Sequence, residues 1–488
     1  MIKDIVKIHD KFSVEIKLIY ESFSQKRKTK YDVHTYLFIP DGLNINEQTY
    51  SKSDFYNDVK VNIRYNTPEY TLFDIVKDEN SLIEKLELNI KDVISDNKSK
   101  NKKAIFVTQC KLFGSIFSSA VRKTIRDSRK NISKNDIKEL EVITDLTHDI
   151  SKKYRLLLEK YKNRLDTEEL KILLFTDEFM SNMVEYNYII LYNYLKRKRN
   201  KLDNEIFSTI VMIVEKEQKY RVAQAYRTVP SNLVDNEKLL HTRSQLKKYI
   251  DSILFLKKER KKDGAIAEQT LFAIVAGFAM VFSTSVAFYY QQKYGNFTLP
   301  FLVALVLSYM LKDRIKSIFG YFFVSKANSV FYDYKLNIYS SKNHKIGVVK
   351  EKFGFVINSK LNKKIKLIRL KQKLFEKDFD ELGEYIIQYK KRVNIFEKKF
   401  KKGLKNENLN SLADITRINF HRMIQQMDNP QKKYYLINNG EIVEKMGDRV
   451  YYINIIQEFY TELGVEYNRF RVVLNREGIK RIERINLH

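Results

Sequence analysis

Apolar and polar residues follow three different periods along this chain. Near the start they alternate, with Phe12, Val14, Ile16 and Leu18 set between Ser13, Glu15 and Lys17, the period of a half-buried strand. A second run rich in strand formers, 31–39, follows the basic stretch SQKRKTK, and together they predict a β-hairpin. From about Ser81 the period becomes helical. Ile105, Phe106, Val107, Cys110, Phe113, Ile116, Phe117, Ala120 and Val121 trace one wide apolar stripe. Further helical stretches are predicted over 136–164, 168–199, 204–227 and 233–262, and their short connections predict an antiparallel bundle.

The third pattern has no polar phase at all. Residues 271–290, LFAIVAGFAMVFSTSVAFYY, contain no charge over 20 residues, about 30 Å of helix and the thickness of a bilayer core. This predicts a transmembrane helix. A polar turn, 291–298, leads to a second apolar run, 297–311, with Pro300 as a first-turn proline and Lys312 as its end. At 15 residues, about 22 Å, the second run is short, so Lys312 and Arg314 must snorkel or the bilayer must thin. Beyond it, Ile318, Phe319, Tyr321, Phe322 and Phe323 predict a separate exit helix lying along the interface. The basic flanks LKKERKKDG (256–264) and KDRIK (312–316), against a turn holding only Lys293, predict an inner-membrane hairpin with both termini cytoplasmic. Glu268, Lys312 and Arg314 are expected at one depth as a hairpin ion pair. Ala279, Ser283 and Ala287, with Ala273 and Gly277, form a small-residue ridge for packing against the second helix or against another copy in a homo-oligomer.

After the hairpin, strand patterns dominate: 330–339, 348–357, 364–370, 384–396, 433–437, 441–446, 450–456, 470–474 and 479–485. Asn439-Gly440 predicts a type I′ turn, because both residues tolerate positive φ, and 475–478 a second turn. Charge concentrates in this region. The chain carries 89 Lys and Arg against 60 Asp and Glu, net +29. Residues 312–488 hold 37 basic and 20 acidic side chains, and 360–405 hold 16 and 6. Such a field favours phosphate-rich partners. Lys363, Lys364, Lys366 and Arg369 are the expected contacts to anionic lipid headgroups, while Phe375, Tyr385, Tyr389, Phe396 and Phe400 among the lysines would suit base stacking on nucleic acid, the less favoured partner.

Composition removes other classes. One cysteine, Cys110, excludes an intrachain disulfide and a Cys-based zinc module, and its place on the apolar stripe marks a structural thiol. No phosphate-cradling GxxxxGK[ST] or GxGxxG, no GxSxG and no HExxH occurs. Asp145, His148 and Asp149 are the nearest approach to a polar constellation, and two or three such groups are read as a solvated surface histidine with local acids. Asp414, His421 and Asp428 receive no role.

The expectation is an α+β membrane protein: a small mixed α/β segment (1–80), a helical bundle (81–264), a transmembrane hairpin with exit helix (265–325) and a basic, antiparallel β-rich domain (326–488). The expected function is a membrane scaffold, sensor or regulator without catalysis, cofactor or metal, with room for a protein partner. Its rivals are an oligomeric pore or membrane-disrupting effector and a membrane tether for nucleic acid.

Overall fold

The computed structural model describes residues 2–21, 28–77, 81–132, 137–198, 204–228, 233–296, 298–340, 343–370, 383–402, 409, 411–461 and 464–487. The fold mixes helices with antiparallel sheets and divides into two units. One contains Met1–Arg64, Leu256–Glu407 and Ser411–His488, and the other is essentially Tyr65–Phe255.

In chain order the first unit begins with β1 (Ile2–Ile8), β2 (Ser13–Glu21), β3 (Thr29–Pro40), α1 (Lys52–Asp58) and β4 (Val59–Tyr65). The second unit follows as α2 (Leu72–Lys77), α3 (Leu82–Ser95), α4 (Lys100–Ile132), α5 (Ile137–Tyr161), α6 (Thr167–Arg197), α7 (Asn204–Ala223) and α8 (Leu233–Asp251). The chain then returns through β5 (Lys257–Lys262), α9 (Ala265–Tyr294), α10 (Leu299–Val330), β6 (Tyr334–Tyr339), β7 (Lys345–Phe355), α11 (Lys363–Leu370), β8 (Glu384–Ile395) and α12 (Glu397–Lys402). It ends with β9 (Ser411–Asn419), α13 (His421–Gln425), β10 (Gln431–Asn438), β11 (Glu441–Asp448), β12 (Tyr451–Thr461), β13 (Gly464–Asn475) and β14 (Gly478–Ile485).

An eight-stranded sheet, ordered β14-β13-β12-β3-β8-β7-β6-β5, faces a four-stranded one, β1-β2-β9-β4. Strands from both ends of the chain are thus interleaved. β3 lies between β12 and β8, with Leu37 opposite Ile455 on one side and Ile387 on the other. Sequence patterning assigns residues 1–80 and 326–488 to separate segments, whereas these pairings place the early strands inside the sheets of the late ones. The expected β2–β3 hairpin does not form: β2 pairs with β1 and β9, and β3 belongs to the other sheet.

Alternation decides which side chains meet. In β3 and β8, Val33, Thr35, Tyr389 and Lys391 point toward Ile16, Leu18, Thr416 and Ile418 of the smaller sheet. Tyr36, Phe38 and Ile386 point the other way, onto Leu361 and Ile365 of the α11 segment. That segment was expected as a strand over 364–370. It is a helix because Ile365 and Arg369, four apart, are its buried positions. Between the sheets Lys391 and Asp414, 3% and 0% exposed, form an ion pair of 2.6 Å. Thr416 accepts a second bond from Lys391 at 2.7 Å. β10 and β11 stand apart as a two-stranded ribbon closed by Asn439 and Gly440 at φ 52° and 85°, the predicted turn.

In the helical unit α4 is the central element, packed by α3, α5, α6 and α8. Cys110 is wholly buried there, and burial pushes its thiol well above the ordinary range.

Candidate functional site: the apolar hairpin and its base

Among the described residues two helices are long and apolar enough to cross a membrane by length and composition, α4 and α9. Their surroundings differ: 61% of the apolar window of α4 is buried, against 11% for α9. The first is therefore the core of the helical unit. α10 does not join them, because its apolar part ends at Leu311 and Lys312, Asp313, Arg314 and Lys316 follow at once. Nor does α10 stop there. It continues without a break to Val330, so the expected separate exit helix is its second half. None of those four residues breaks a helix, and Ser317 donates to the carbonyl of Asp313 within the turn.

α9 and α10 pack antiparallel along one narrow stripe. Val275 and Ala279 are buried on α9, Ala304 and Ser308 on α10, and Ser283 Oγ donates to Ser308 Oγ at 3.4 Å. Further toward the base, the ring of Phe272 lies over Gly320. Small residues here let the two backbones approach. Ala279 and Ser283 thus face the chain's own second helix, and Ala287 is half-buried. Ala273 and Gly277 face outward, with open space beside Gly277. Around this stripe the hairpin is apolar and bare: Phe278 is 72% and Leu299 77% exposed.

The same contacts fix the register. Each step up one helix is a step down the other, so Lys312 lies level with Ala279 and Lys316 with Val275. Glu268 sits far below them and pairs with Lys262 at 2.6 Å, so the expected pair with Lys312 and Arg314 does not form. Lys312 instead lies 3.7 Å over the ring of Tyr309. The physical reason is the length of α10: a helix ending at Lys312 would have put the base of the hairpin there, but the base is some 18 residues further on.

That base is closed by a sheet. The run KKERKK, expected as the end of a helix over 233–262, is the edge strand β5, and it pairs with β6 from Lys262–Tyr334 to Lys257–Tyr339. The crossings are tied down. Asp263 receives Lys350 Nζ at 2.9 Å, and Asp333 receives Lys52 Nζ at 2.5 Å and the Tyr56 hydroxyl at 3.0 Å. Gly264 enters α9 at φ 75°, where a Cβ would fall 2.6 Å from the ring of Phe331. Only glycine fits that position without a shift.

The basic segment divides by face. Lys363 and Lys364 are exposed, and Lys366 is half-buried with its Nζ 3.5 Å from the Ser359 carbonyl. Arg369 turns inward, 8% exposed, and forms a two-pronged ion pair with Glu384. Tyr389 and Phe400 are buried, Tyr389 donating to Glu351, so neither offers a stacking face. Phe375 lies outside the described residues. Arg369→Gln is expected to cost about 2 kcal/mol, since it leaves Glu384 half-buried and unpaired. Lys363→Gln and Lys364→Gln should be neutral within about 0.5 kcal/mol. Urea titration followed by circular dichroism separates them, and equal midpoints for all three would contradict this division.

The helical unit holds a polar network that reading for motifs missed. Asp177 receives the hydroxyls of Tyr220 and Tyr226 at 2.7 and 3.1 Å and Arg155 Nε at 3.3 Å. Arg155 also pairs with Glu217 at 2.8 Å. Two turns on, Glu185 takes Arg243 at 2.7 Å and the fully buried Arg221, which donates to Ser181 at 2.9 Å. Burial pushes the carboxyls of Asp177 and Glu178 upward, and the arginines oppose it. The signal was present in α6, where Asp177, Ser181 and Glu185 recur every four residues. Among the described residues no group of three or more His, Cys, Asp and Glu could hold a metal.

Comparison with protein-family models, curated proteins and solved structures gives no match to this chain.

Proposed function

We propose that this chain is an integral inner-membrane protein whose α9–α10 hairpin enters the bilayer, and whose sheet unit stands on the cytoplasmic side as a scaffold or regulatory module without catalysis. The observation that carries the reading is the bare apolar surface of the hairpin. Outside the stripe between the helices, Phe278, Met280, Val281, Phe288, Leu299, Leu302 and Met310 are all exposed. In water such a surface is a liability, and in lipid it is the favoured state.

Two further features support it. The pairing of β5 with β6 brings both hairpin ends to one place, which suits entry and exit on one face of a membrane. The turn carries Gln291, Gln292, Lys293 and Asn296, groups that require water or headgroups beyond the hydrocarbon. From the turn to Lys312 the paired helices rise about 13 residues, roughly 20 Å. The bilayer must thin there by about 10 Å, or Lys312, Arg314 and Lys316 must snorkel toward the base. Phe319, Tyr321, Phe322 and Phe323 then form the aromatic belt at the near interface. Lys363 and Lys364 remain available to anionic headgroups, and the outward Ala273 and Gly277 to a second copy.

Cysteine labelling tests the reading. Because Cys110 is buried, an introduced cysteine reports alone. Asn296→Cys should react with a membrane-impermeant maleimide in intact cells, and Lys335→Cys only after permeabilisation. Labelling of Lys335→Cys in intact cells would reverse the orientation. Release of the full chain by alkaline carbonate would remove the membrane reading altogether.

A further inference from the structure

Within the helical unit a cavity of about 260 Å³ opens between α5, α6 and α7. Its floor includes Thr147, Val184 and Tyr188, all buried, and its rim carries Asp145, His148 and Lys216. Neither the hairpin nor the sheets line it, so ligand binding in this cavity is independent of how the chain meets a membrane.

Three observations point to a ligand. Tyr188 is 0% exposed, and its hydroxyl makes no well-formed hydrogen bond, its neighbours being the hydroxyls of Thr144 and Thr147. The neighbouring hydroxyls of Thr144 and Thr147 donate to the carbonyls of Leu140 and Ile143, along their own helix. A buried phenol without a well-formed partner is uncommon in a folded protein, and at a cavity wall it is a group that a ligand can engage. At the rim, Lys216 Nζ lies 3.4 Å from His148 Nε2, and among the described residues Lys216 forms no ion pair. Glu217, the following residue and part of the cavity lining, is occupied by Arg155 at 2.8 Å. Burial and the adjacent Lys216 hold the imidazole of His148 below its ordinary pKa, with Asp149 and Glu217 opposing the shift. Between rim and floor the walls are apolar, with Val184, Met212 and Ile213.

We propose that this cavity binds a small organic carboxylate that also carries a hydroxyl, its carboxylate held by Lys216 and His148, its apolar body against Val184 and Met212, and its hydroxyl paired with Tyr188. Charge-assisted bonds at the mouth supply most of the affinity, and the phenol selects for the distal hydroxyl, since a buried polar group discriminates against a ligand that leaves it unpaired. Asp145, the other acid at the rim, would disfavour a dianion. A phosphate monoester is therefore the poorer fit.

The test is isothermal titration of the full chain in detergent with 4-hydroxybenzoate, benzoate and inorganic phosphate. 4-Hydroxybenzoate should bind saturably and more tightly than benzoate, and inorganic phosphate weakly or not at all. Lys216→Gln should weaken both benzoates by about tenfold or more. Tyr188→Phe should remove the preference for 4-hydroxybenzoate while leaving benzoate affinity unchanged. That variant loses a hydroxyl without a well-formed partner, so its thermal midpoint should change little, and an unchanged midpoint separates loss of preference from unfolding. No saturable binding by any probe up to about 10 mM, or binding that Lys216→Gln leaves unchanged, would overturn the proposal. So would phosphate binding as tightly as 4-hydroxybenzoate.

Discussion

Lys391→Ala is expected to destabilise the sheet unit by about 3–5 kcal/mol, because it leaves Asp414 charged and enclosed between the two sheets. The carboxylate is wholly buried, and its other contacts are Thr416 Oγ at 3.3 Å and the Tyr20 hydroxyl at 3.4 Å, too long to replace an ammonium at 2.6 Å. Removing both charges is a different matter. Lys391→Met with Asp414→Leu exchanges a desolvated pair for apolar volume and should recover most of the loss. Because the chain has two units, a global melting point would mix their transitions. Amide hydrogen exchange in β8 and β9 reads the affected strands directly. Exchange there should accelerate strongly in the single variant and return near the parent rate in the double one. A double variant as labile as the single one would show that the pair has a role that apolar packing cannot replace.

The same pair shows where reading the sequence reaches and where it stops. Charge counting assigns 360–405 a net positive surface, but alternation along β8 sends Lys391 inward and Arg369 folds onto Glu384. Counting cannot see faces until the elements and their partners are known. Local signals were legible: the turn at Asn439-Gly440, the apolar run of α9 and the strand character of β7, β8, β12 and β14 all depend on neighbours in sequence. Pairing over hundreds of residues was not. β3 reads as half of a local hairpin, because nothing in Thr29–Pro40 specifies that its neighbours are β12 and β8. KKERKK likewise reads as a solvated helix end, because the edge strand β5 needs only backbone groups to pair with β6, leaving its side chains to water. The network around Asp177 was visible only as a spacing, and its partners come from three other helices.

The largest effect is expected where the four charges on α10 meet the hydrocarbon. Lys312, Asp313, Arg314 and Lys316 lie between the exposed apolar segment that starts at Leu299 and the aromatic segment that includes Phe319, Tyr321 and Phe323. Each charge costs about 2.5–3.5 kcal/mol at the centre of a bilayer, so together they oppose deeper entry by an amount on the order of 10 kcal/mol. In the proposed arrangement this belt, and not the length of α9, sets how far the hairpin inserts. Replacing all four by leucine makes residues 299–323 a continuous apolar run of spanning length, and the hairpin should sink until the aromatic segment enters the hydrocarbon. Ser317, exposed and directly after the charged belt, is the place to measure it. With the native charges, Ser317→Cys should react readily with an impermeant maleimide applied from the base side in inverted vesicles. In the four-leucine background its reactivity should fall by about tenfold or more, since water and thiolate are both excluded from hydrocarbon. Equal reactivity in the two backgrounds would mean that the belt does not set the depth, and would favour an assembly in which these charges face a water-filled interior between copies of the chain.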